Sequence, residues 1–114
     1  MNITFTAQPF PELTLTGNLL TDNGFTVDTP IKLLLRQQAL WVTTVTDEQE
    51  WQALCEASQY DQDLGADWVH NDGRLVIGGD WLTEIGITQA GHVDVATAPG
   101  IIIIRRREGG VFRA

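Results

Sequence analysis

The chain has 114 residues, a formal net charge of −8 and a pI near 4.4, and 43% of its residues are hydrophobic. This length predicts a single domain over residues 1–114, and the hydrophobic fraction excludes general disorder. Apolar runs are too short for a membrane-spanning helix and the first residues do not resemble a signal peptide, so we expect a cytoplasmic protein.

Acidic residues are concentrated in the middle of the chain. Residues 47–84 hold ten acids and a single base, Arg74, for a net charge of −9, whereas the rest of the chain has five acids and six bases. Such a segment repels phosphate backbones and attracts basic partners. The alternative interpretation is a solvated face that keeps a small protein soluble.

The first structured segment, residues 11–45, predicts a strand followed by a hairpin. Leu13 and Leu15 alternate with polar residues, which is typical of a half-buried strand. The two strands of the hairpin are predicted at residues 30–35 and 39–45 by the same alternation.

A short helical turn is predicted between this strand and the hairpin. Gly17 ends the strand, and Asn18 is a favourable N-cap for the turn. Gly24 suits the left-handed backbone conformation that ends a helix, so Phe25 is expected to pack back on the turn.

Residues 46–73 form a different, acidic segment, which we interpret as an insert. Apolar residues at helical spacing predict a helix over residues 47–59, followed by an acidic loop over residues 60–65. A further strand is predicted at residues 67–70, with a hairpin turn at residues 71–73 that leads into the rest of the chain.

Residues 74–107 repeat the first segment at a constant offset of 62 residues. Chance rarely matches glycines and apolar alternation together over such a length, so we expect two copies of one unit that share one core as an intrachain pseudo-dimer. The identical pairs are Leu13/Leu75, Gly17/Gly79, Leu20/Leu82, Thr21/Thr83, Gly24/Gly86 and Thr26/Thr88.

The shared pattern, Leu-x-Leu-x-Gly-x-Leu/Trp-Leu-x-x-x-Gly-Phe/Ile before a hairpin, resembles the SymE toxin family. SymE-like domains are similar to the AbrB swapped-hairpin fold, in which two copies interleave into one small barrel. The resemblance implies a mainly β, α+β fold: a duplicated AbrB-like swapped-hairpin β-barrel with one inserted helix. The second segment matches best, at Leu75, Ile77, Gly79, Trp81, Leu82, Gly86, Gly91, Val93 and Val95.

The same resemblance implies a toxin linked to RNA cleavage, or a nucleic-acid-binding antitoxin or regulator. The only basic cluster would then be the nucleic-acid site, although it is also typical of a charged edge strand that blocks aggregation. Its members are Arg105, Arg106, Arg107 and Arg113. The fused repeats and an insert with eight acids and no base depart from the family pattern.

Acidic and aromatic residues occur together in and near the insert. This composition is typical of a site that grips a basic protein, because aromatic anchors give affinity and charges give rate and specificity. The alternative is that the four tryptophans simply fill a small barrel. The candidate partner-binding residues are Asp47, Glu48, Glu50, Tyr60, Asp61, Asp63, Asp67, Trp68 and Asp72.

Candidate catalytic chemistry is sparse. Cys55 is the only cysteine and lies on the predicted apolar face of the helix, so we expect it in the core. His70 and His92 are the only histidines and neither lies in a catalytic motif. We therefore expect no catalytic residue, no metal and no cofactor.

Three hypotheses follow from the sequence. The first is a non-catalytic binding protein of the toxin–antitoxin or immunity class, whose acidic surface neutralises a basic nuclease-type toxin. The second is a SymE-type RNA-binding toxin or endoribonuclease, or an AbrB-like nucleic-acid-binding protein. The third is a homodimeric scaffold without a ligand. For the first two, both a monomer and a homodimer are compatible with the sequence.

Overall fold

The computed structural model describes residues 1–7 and 10–107, which form two antiparallel sheets and three short helices. The fold is mainly β, as the alternating segments predict. None of the described helices is long and apolar enough to cross a membrane. In chain order the elements are β1 (Asn2–Thr6), β2 (Glu12–Thr16), α1 (Asn18–Asp22), β3 (Pro30–Arg36), β4 (Ala39–Thr44), α2 (Glu48–Ala57), β5 (Leu64–Trp68), β6 (Leu75–Ile77), α3 (Gly79–Glu84), a 3-10 turn (Ala90–His92), β7 (Val93–Ala98) and β8 (Ile101–Arg106).

The strands form a three-stranded sheet in the order β1-β2-β6 and a five-stranded sheet in the order β5-β3-β4-β8-β7. The described residues therefore do not form the closed barrel that we predicted. β2 and β6 have only five and three residues and each leads almost directly into a helix, so neither is long enough to continue into the larger sheet. The swapping of hairpins stays a prediction.

Residues 62 positions apart occupy corresponding elements. The series β2-α1-β3-β4 corresponds to β6-α3-β7-β8, and both hairpins have the same register. Ile31 pairs with Thr44 in the first hairpin, and Val93 pairs with Arg106 in the second. Corresponding strands also pair with each other, β2 with β6 and β4 with β8.

The hydrophobic core lies between the two sheets. The strands β2, β3, β4, β6, β7 and β8 contribute alternate residues, and α1 and α3 contribute Leu20 and Leu82. Burial of the alternating residues Leu13, Leu15, Leu75 and Ile77 is confirmed, whereas Leu19 in the first helical turn is 39% exposed. The largest fully buried side chains of the core are Phe25, Leu13, Leu15, Leu20, Ile31, Leu40, Leu75, Ile77, Leu82, Ile87, Ile102 and Ile104.

Both short helices end as the glycines predict. Gly24 has a φ of +92°, and the next residue, Phe25, donates its backbone N–H to the carbonyl of Leu20 at 2.8 Å. The corresponding bond after α3 joins Ile87 to Leu82 at 2.9 Å. These bonds satisfy carbonyls that would otherwise lack a partner at the helix end.

The predicted N-caps are wrong. α1 and α3 begin at Asn18 and Gly79. Asn18, and Asp80 at the corresponding position of the second repeat where the sequence predicts the same cap, therefore lie inside the first turn rather than before it. The N-cap positions are occupied by Gly17 and Gly78, which have no side chain to make the capping bond.

The insert contains the predicted helix, α2, and a strand, β5, that begins three residues earlier than predicted. The predicted hairpin between β5 and β6 does not form. The turn itself is present, with the N–H of His70 bonded to the carbonyl of Arg74 at 2.8 Å. β5 instead pairs with β3, which offers seven residues where β6 offers three.

Helix α2 packs on the face of the five-stranded sheet that is turned away from the core, which we call the outer face. Leu54 of α2 is buried, and it lines a small pocket with Lys32 and Leu64. Lys32 alternates with the core residues of β3, and Leu64 pairs with Leu34 on the same face as Lys32. α2 therefore covers the outer face over β5 and β3.

The first hairpin turn is strained. Gln37 and Gln38 have φ values of 55° and 61°, the geometry of a type I′ turn, which favours Asn-Gly. Replacing both residues by Asn-Gly is expected to raise the free energy of unfolding by about 1 kcal/mol, measured by urea denaturation. Gly100, the counterpart of Gln38, has a φ of 75°, so Gly100→Ala is expected to act in the opposite direction. A less stable Asn-Gly variant would contradict this account.

Candidate acidic site

A groove of about 540 Å³ lies between the loop that follows α2 and the helix α3. Its lining contains four carboxylates and no base, and its apolar surface comes from two leucines and one tryptophan. These residues are Asp61, Asp63, Asp80 and Glu84, with Leu35, Leu64 and Trp81. We call this feature the acidic groove.

Trp81 is held in the groove by close packing against β5. A Cβ atom placed on Gly65 would lie 2.7 Å from Cζ2 of the indole, so only glycine fits beneath the ring. Trp81 is half-buried and packs against the core, which fixes the ring while leaving part of it accessible.

The acidic loop is anchored at both ends by backbone hydrogen bonds. Its first part continues from α2, because the N–H of Asp61 bonds to the carbonyl of Ala57 at 3.0 Å. Its last part is bonded to β3, where the N–H of Leu35 donates to the carbonyl of Asp63 at 2.8 Å. Within the loop, Asp61 Oδ1 accepts the N–H of Asp63 at 2.9 Å. The two carboxylates therefore belong to an ordered turn.

The structure brings only two of the nine predicted partner-binding residues into this groove, Asp61 and Asp63. It adds Asp80, Trp81 and Glu84 from the second repeat, which the sequence-based assignment of the site missed. A signal was present, because both acids belong to the segment of net charge −9. Their position opposite the loop depends on the tertiary fold.

The acids at the start of α2 have local structural roles. Asp47 is the N-cap, and its Oδ1 accepts the N–H of Gln49 at 3.0 Å. Glu48 accepts from Gln52 at 3.3 Å, one turn along the same helix. Glu50 lies in the small pocket beside Lys32. Negative charge at the first turn also stabilises the helix dipole.

A second group of predicted residues lies near the end of β5. Trp68 is 51% exposed and its ring lies 5.3 Å from that of Trp51, with the two planes tilted by 58°. Asp67 and Trp68 share an open depression with Asp28 and His70. Tyr60 is 83% exposed but does not line either depression. The aromatic residues of the insert therefore do not form one cluster with the acidic groove.

Asp72 is paired with a neighbouring base. The N–H of Arg74 donates to Oδ1 of Asp72 at 3.2 Å, and the guanidinium Nε lies 2.7 Å from Oδ2. These bonds hold the pKa of Asp72 below its ordinary value. Asp72 stays ionised above that lowered pKa, and protonation by acid removes its charge from the pair.

The predicted basic cluster is divided between the two faces of β8. Arg105 lies on the outer face and pairs with Asp94 at 3.1 Å. Arg106 points the other way, toward α3, where its guanidinium approaches Gly86. Arg107 is exposed just after the strand, and Arg113 lies outside the described residues.

The candidate catalytic residues are not assembled into a site. Cys55 is half-buried on α2 and outside the core, because α2 lies on the outer face of the sheet, so its predicted core position is wrong. The ring of His92 interacts with Gln89 at 3.0 Å within its own turn. Within residues 1–7 and 10–107, no three His, Cys, Asp or Glu side chains are arranged to hold a metal ion.

Comparisons with protein-family models, curated proteins and solved structures find no match. The likeness to SymE therefore stays a prediction from the sequence motif. The chemistry of the acidic groove has to be interpreted from its own residues.

Proposed function

We propose that the protein is a non-catalytic binding protein of the toxin–antitoxin or immunity class, which captures a basic segment of a nuclease-type toxin. One observation carries this proposal: four carboxylates surround a half-buried indole in the acidic groove, and no base lies among its lining residues. A lysine or arginine of the partner would lay its aliphatic stem on Trp81 and place its charge among the carboxylates.

Inhibition would follow from imitation of the substrate. A nuclease active site binds phosphates with basic side chains, and carboxylates in the same cleft neutralise those side chains without being cleaved. The net charge of −9 on residues 47–84 would also attract the toxin over a longer range and speed association at low salt.

We further propose that the scaffold is a duplicated, SymE-like swapped-hairpin unit. The constant offset of 62 residues, the equal registers of both hairpins and the pairing of corresponding strands support this origin. The insert would then be an addition to the first copy, which supplies one wall of the groove while α3 of the second copy supplies the other.

The test is an affinity pull-down from native lysate at about 0.1 M salt, in which bound protein and bound RNA are both quantified. One basic protein recovered stoichiometrically with little RNA is the expected result. RNA recovered without protein, and lost at higher salt, would reject the inhibitor proposal in favour of the nucleic-acid candidate. Recovery of neither would contradict both.

Neutralising the groove is expected to weaken binding of the recovered protein by at least about tenfold, mainly through slower association. The variant combines Asp61→Asn, Asp80→Asn and Glu84→Gln. The matched control combines Glu12→Gln, Asp22→Asn and Asp28→Asn, which changes the net charge equally at sites outside the groove. Surface plasmon resonance at several salt concentrations compares the association rates of the groove variant and the control variant. Equal losses in both variants would show that net charge, rather than the groove, drives binding.

A second candidate function is binding of single-stranded nucleic acid, and one observation favours it. The basic side chains of the first hairpin lie on the outer face. There Lys32, Arg36 and Trp41 line a pocket of about 260 Å³ whose lining contains no acidic residue. Nucleobases stack on accessible aromatic rings, while nearby basic side chains bind the phosphates. In the pull-down, RNA that is lost with Trp41→Leu would identify this face as the site.

A further inference from the structure

The outermost strand β7 has an edge that its counterpart in the first repeat does not expose. β3 and β7 correspond at the offset of 62, and β5 pairs along the edge of β3 that faces away from β4. In the part of the chain that the structure describes, no strand pairs with the same edge of β7. The hairpin scaffold thus accepts a further strand in one copy and lacks it in the other.

The hydrogen-bonding groups on the open edge follow from the register. The carbonyl of His92 accepts the N–H of Arg107, so even-numbered residues of β7 bond to β8. The odd-numbered residues Val93, Val95 and Thr97 therefore direct their N–H and C=O groups outward. β3 shows the same arrangement, because the N–H of Leu35, the counterpart of Thr97, bonds to the insert.

The open edge carries none of the usual protection against pairing. Val93–Ala98 contains no lysine, no proline and a single charge, Asp94, which is paired with Arg105. A regular edge of this kind is a template for another strand.

We propose that two copies of the chain associate through β7, antiparallel, with Val95 opposite Val95. This register places Val93 against Thr97 and Asp94 against Ala96, and it allows about six interchain backbone hydrogen bonds. A dyad at Asp94 would set two carboxylates face to face. A dyad at Ala96 would set Val93 against Pro99, which has no N–H to donate.

The register with Val95 opposite Val95 is self-complementary, which favours a second copy as the occupant, and the charge distribution does not oppose it. The acidic insert lies at the opposite edge of the sheet, four strand spacings from β7, or about 19 Å. Pairing through β7 keeps the two inserts at the far ends of a continuous ten-stranded sheet, separated by several Debye lengths at physiological salt. No residue of β7 lines the acidic groove, so the dimer does not rest on the proposed function.

Disulfide trapping by mixing tests both the interface and its register. In a Cys55→Ser background, Asp94→Cys and Ala96→Cys are made as separate proteins. Opposed residues of a non-hydrogen-bonded pair lie about 4.5 Å apart, within the range of a disulfide. We expect the mixture to give a cross-linked dimer under mild oxidation, whereas either protein alone gives little.

A mixture of Ala96→Cys and Ala98→Cys is the matched control, because these residues do not oppose each other in this register. Equal cross-linking in both mixtures would overturn the proposal. Efficient cross-linking of Ala96→Cys alone would show that the two-fold axis lies at Ala96, which would overturn the proposed register.

Sedimentation equilibrium gives the independent measurement on the unaltered chain. We expect a dimer that dissociates at least about tenfold more readily with Val95→Pro, because proline removes an outward N–H without breaking a bond to β8. Unchanged far-UV circular dichroism would show that the variant is folded. A wild-type chain that stays monomeric up to about 1 mM would overturn the proposal.

Discussion

Replacing Phe25 by alanine is expected to lower the free energy of unfolding by about 3–5 kcal/mol. Phe25 has no exposed surface and follows the glycine that ends α1, so its ring fills the core directly beneath that helix. The loss combines the lost burial of the ring with the cavity it leaves. Because a domain usually has a total stability of only about 5–15 kcal/mol, the variant will be marginally folded at 37 °C. Urea denaturation followed by tryptophan fluorescence measures the loss.

The matched control is Phe10→Ala, which removes the same side chain from a position that is 75% exposed. Its expected change is within about 0.5 kcal/mol, because no core contact is lost. Similar losses at both positions would contradict the assignment of Phe25 to the core. Ile87→Ala, the corresponding change in the second repeat, is expected to be costly as well, by about 2–5 kcal/mol, since Ile87 is fully buried.

Gly65→Ala is expected to destabilise the protein by about 1–3 kcal/mol and to disturb the acidic groove at the same time. The new methyl group would lie 2.7 Å from Cζ2 of Trp81 and 3.3 Å from a methyl of Leu33. Trp81 has to move, and it forms part of the apolar surface of the groove. Gly65→Ala is therefore expected to change both the free energy of unfolding and the binding of the partner in the groove.

A double-mutant cycle identifies the cause. If the clash with the indole dominates, Gly65→Ala combined with Trp81→Leu will cost less than the sum of the two single changes, by about 0.5–3 kcal/mol. Gly91→Ala is the control, because a Cβ there meets no atom within 4 Å. Strict additivity of the two changes would show that the indole does not limit position 65.

The groove explains why the insert and the second repeat have to act together. Trp81, Asp80 and Glu84 belong to α3, whereas Asp61 and Asp63 belong to the loop after α2. The strand β5 connects these parts, because it pairs with β3 and supports the indole at Gly65. Loss of β5 would therefore separate the two walls without removing any carboxylate.

Local features of the fold were readable from the sequence because they depend on residues that are close together in the chain. Apolar alternation predicted the strands, and Gly24 predicted the left-handed end of α1. The offset of 62 residues predicted which elements correspond. The N-caps were misassigned because a shift of one residue at a helix start changes which side chain can reach a free N–H.

Tertiary structure alone decided how the insert is used. The sequence predicted a hairpin between β5 and β6, but β3 presents a longer edge, and pairing along it carries α2 onto the outer face. The same pairing brings the acidic loop opposite α3, although Asp61 and Glu84 are more than twenty residues apart in the chain. Composition located the negative charge within the sequence. The pairing of β5 with β3, rather than with β6 or β7, determined where that charge forms a groove. It also left the edge of β7 without a neighbouring strand among the described residues.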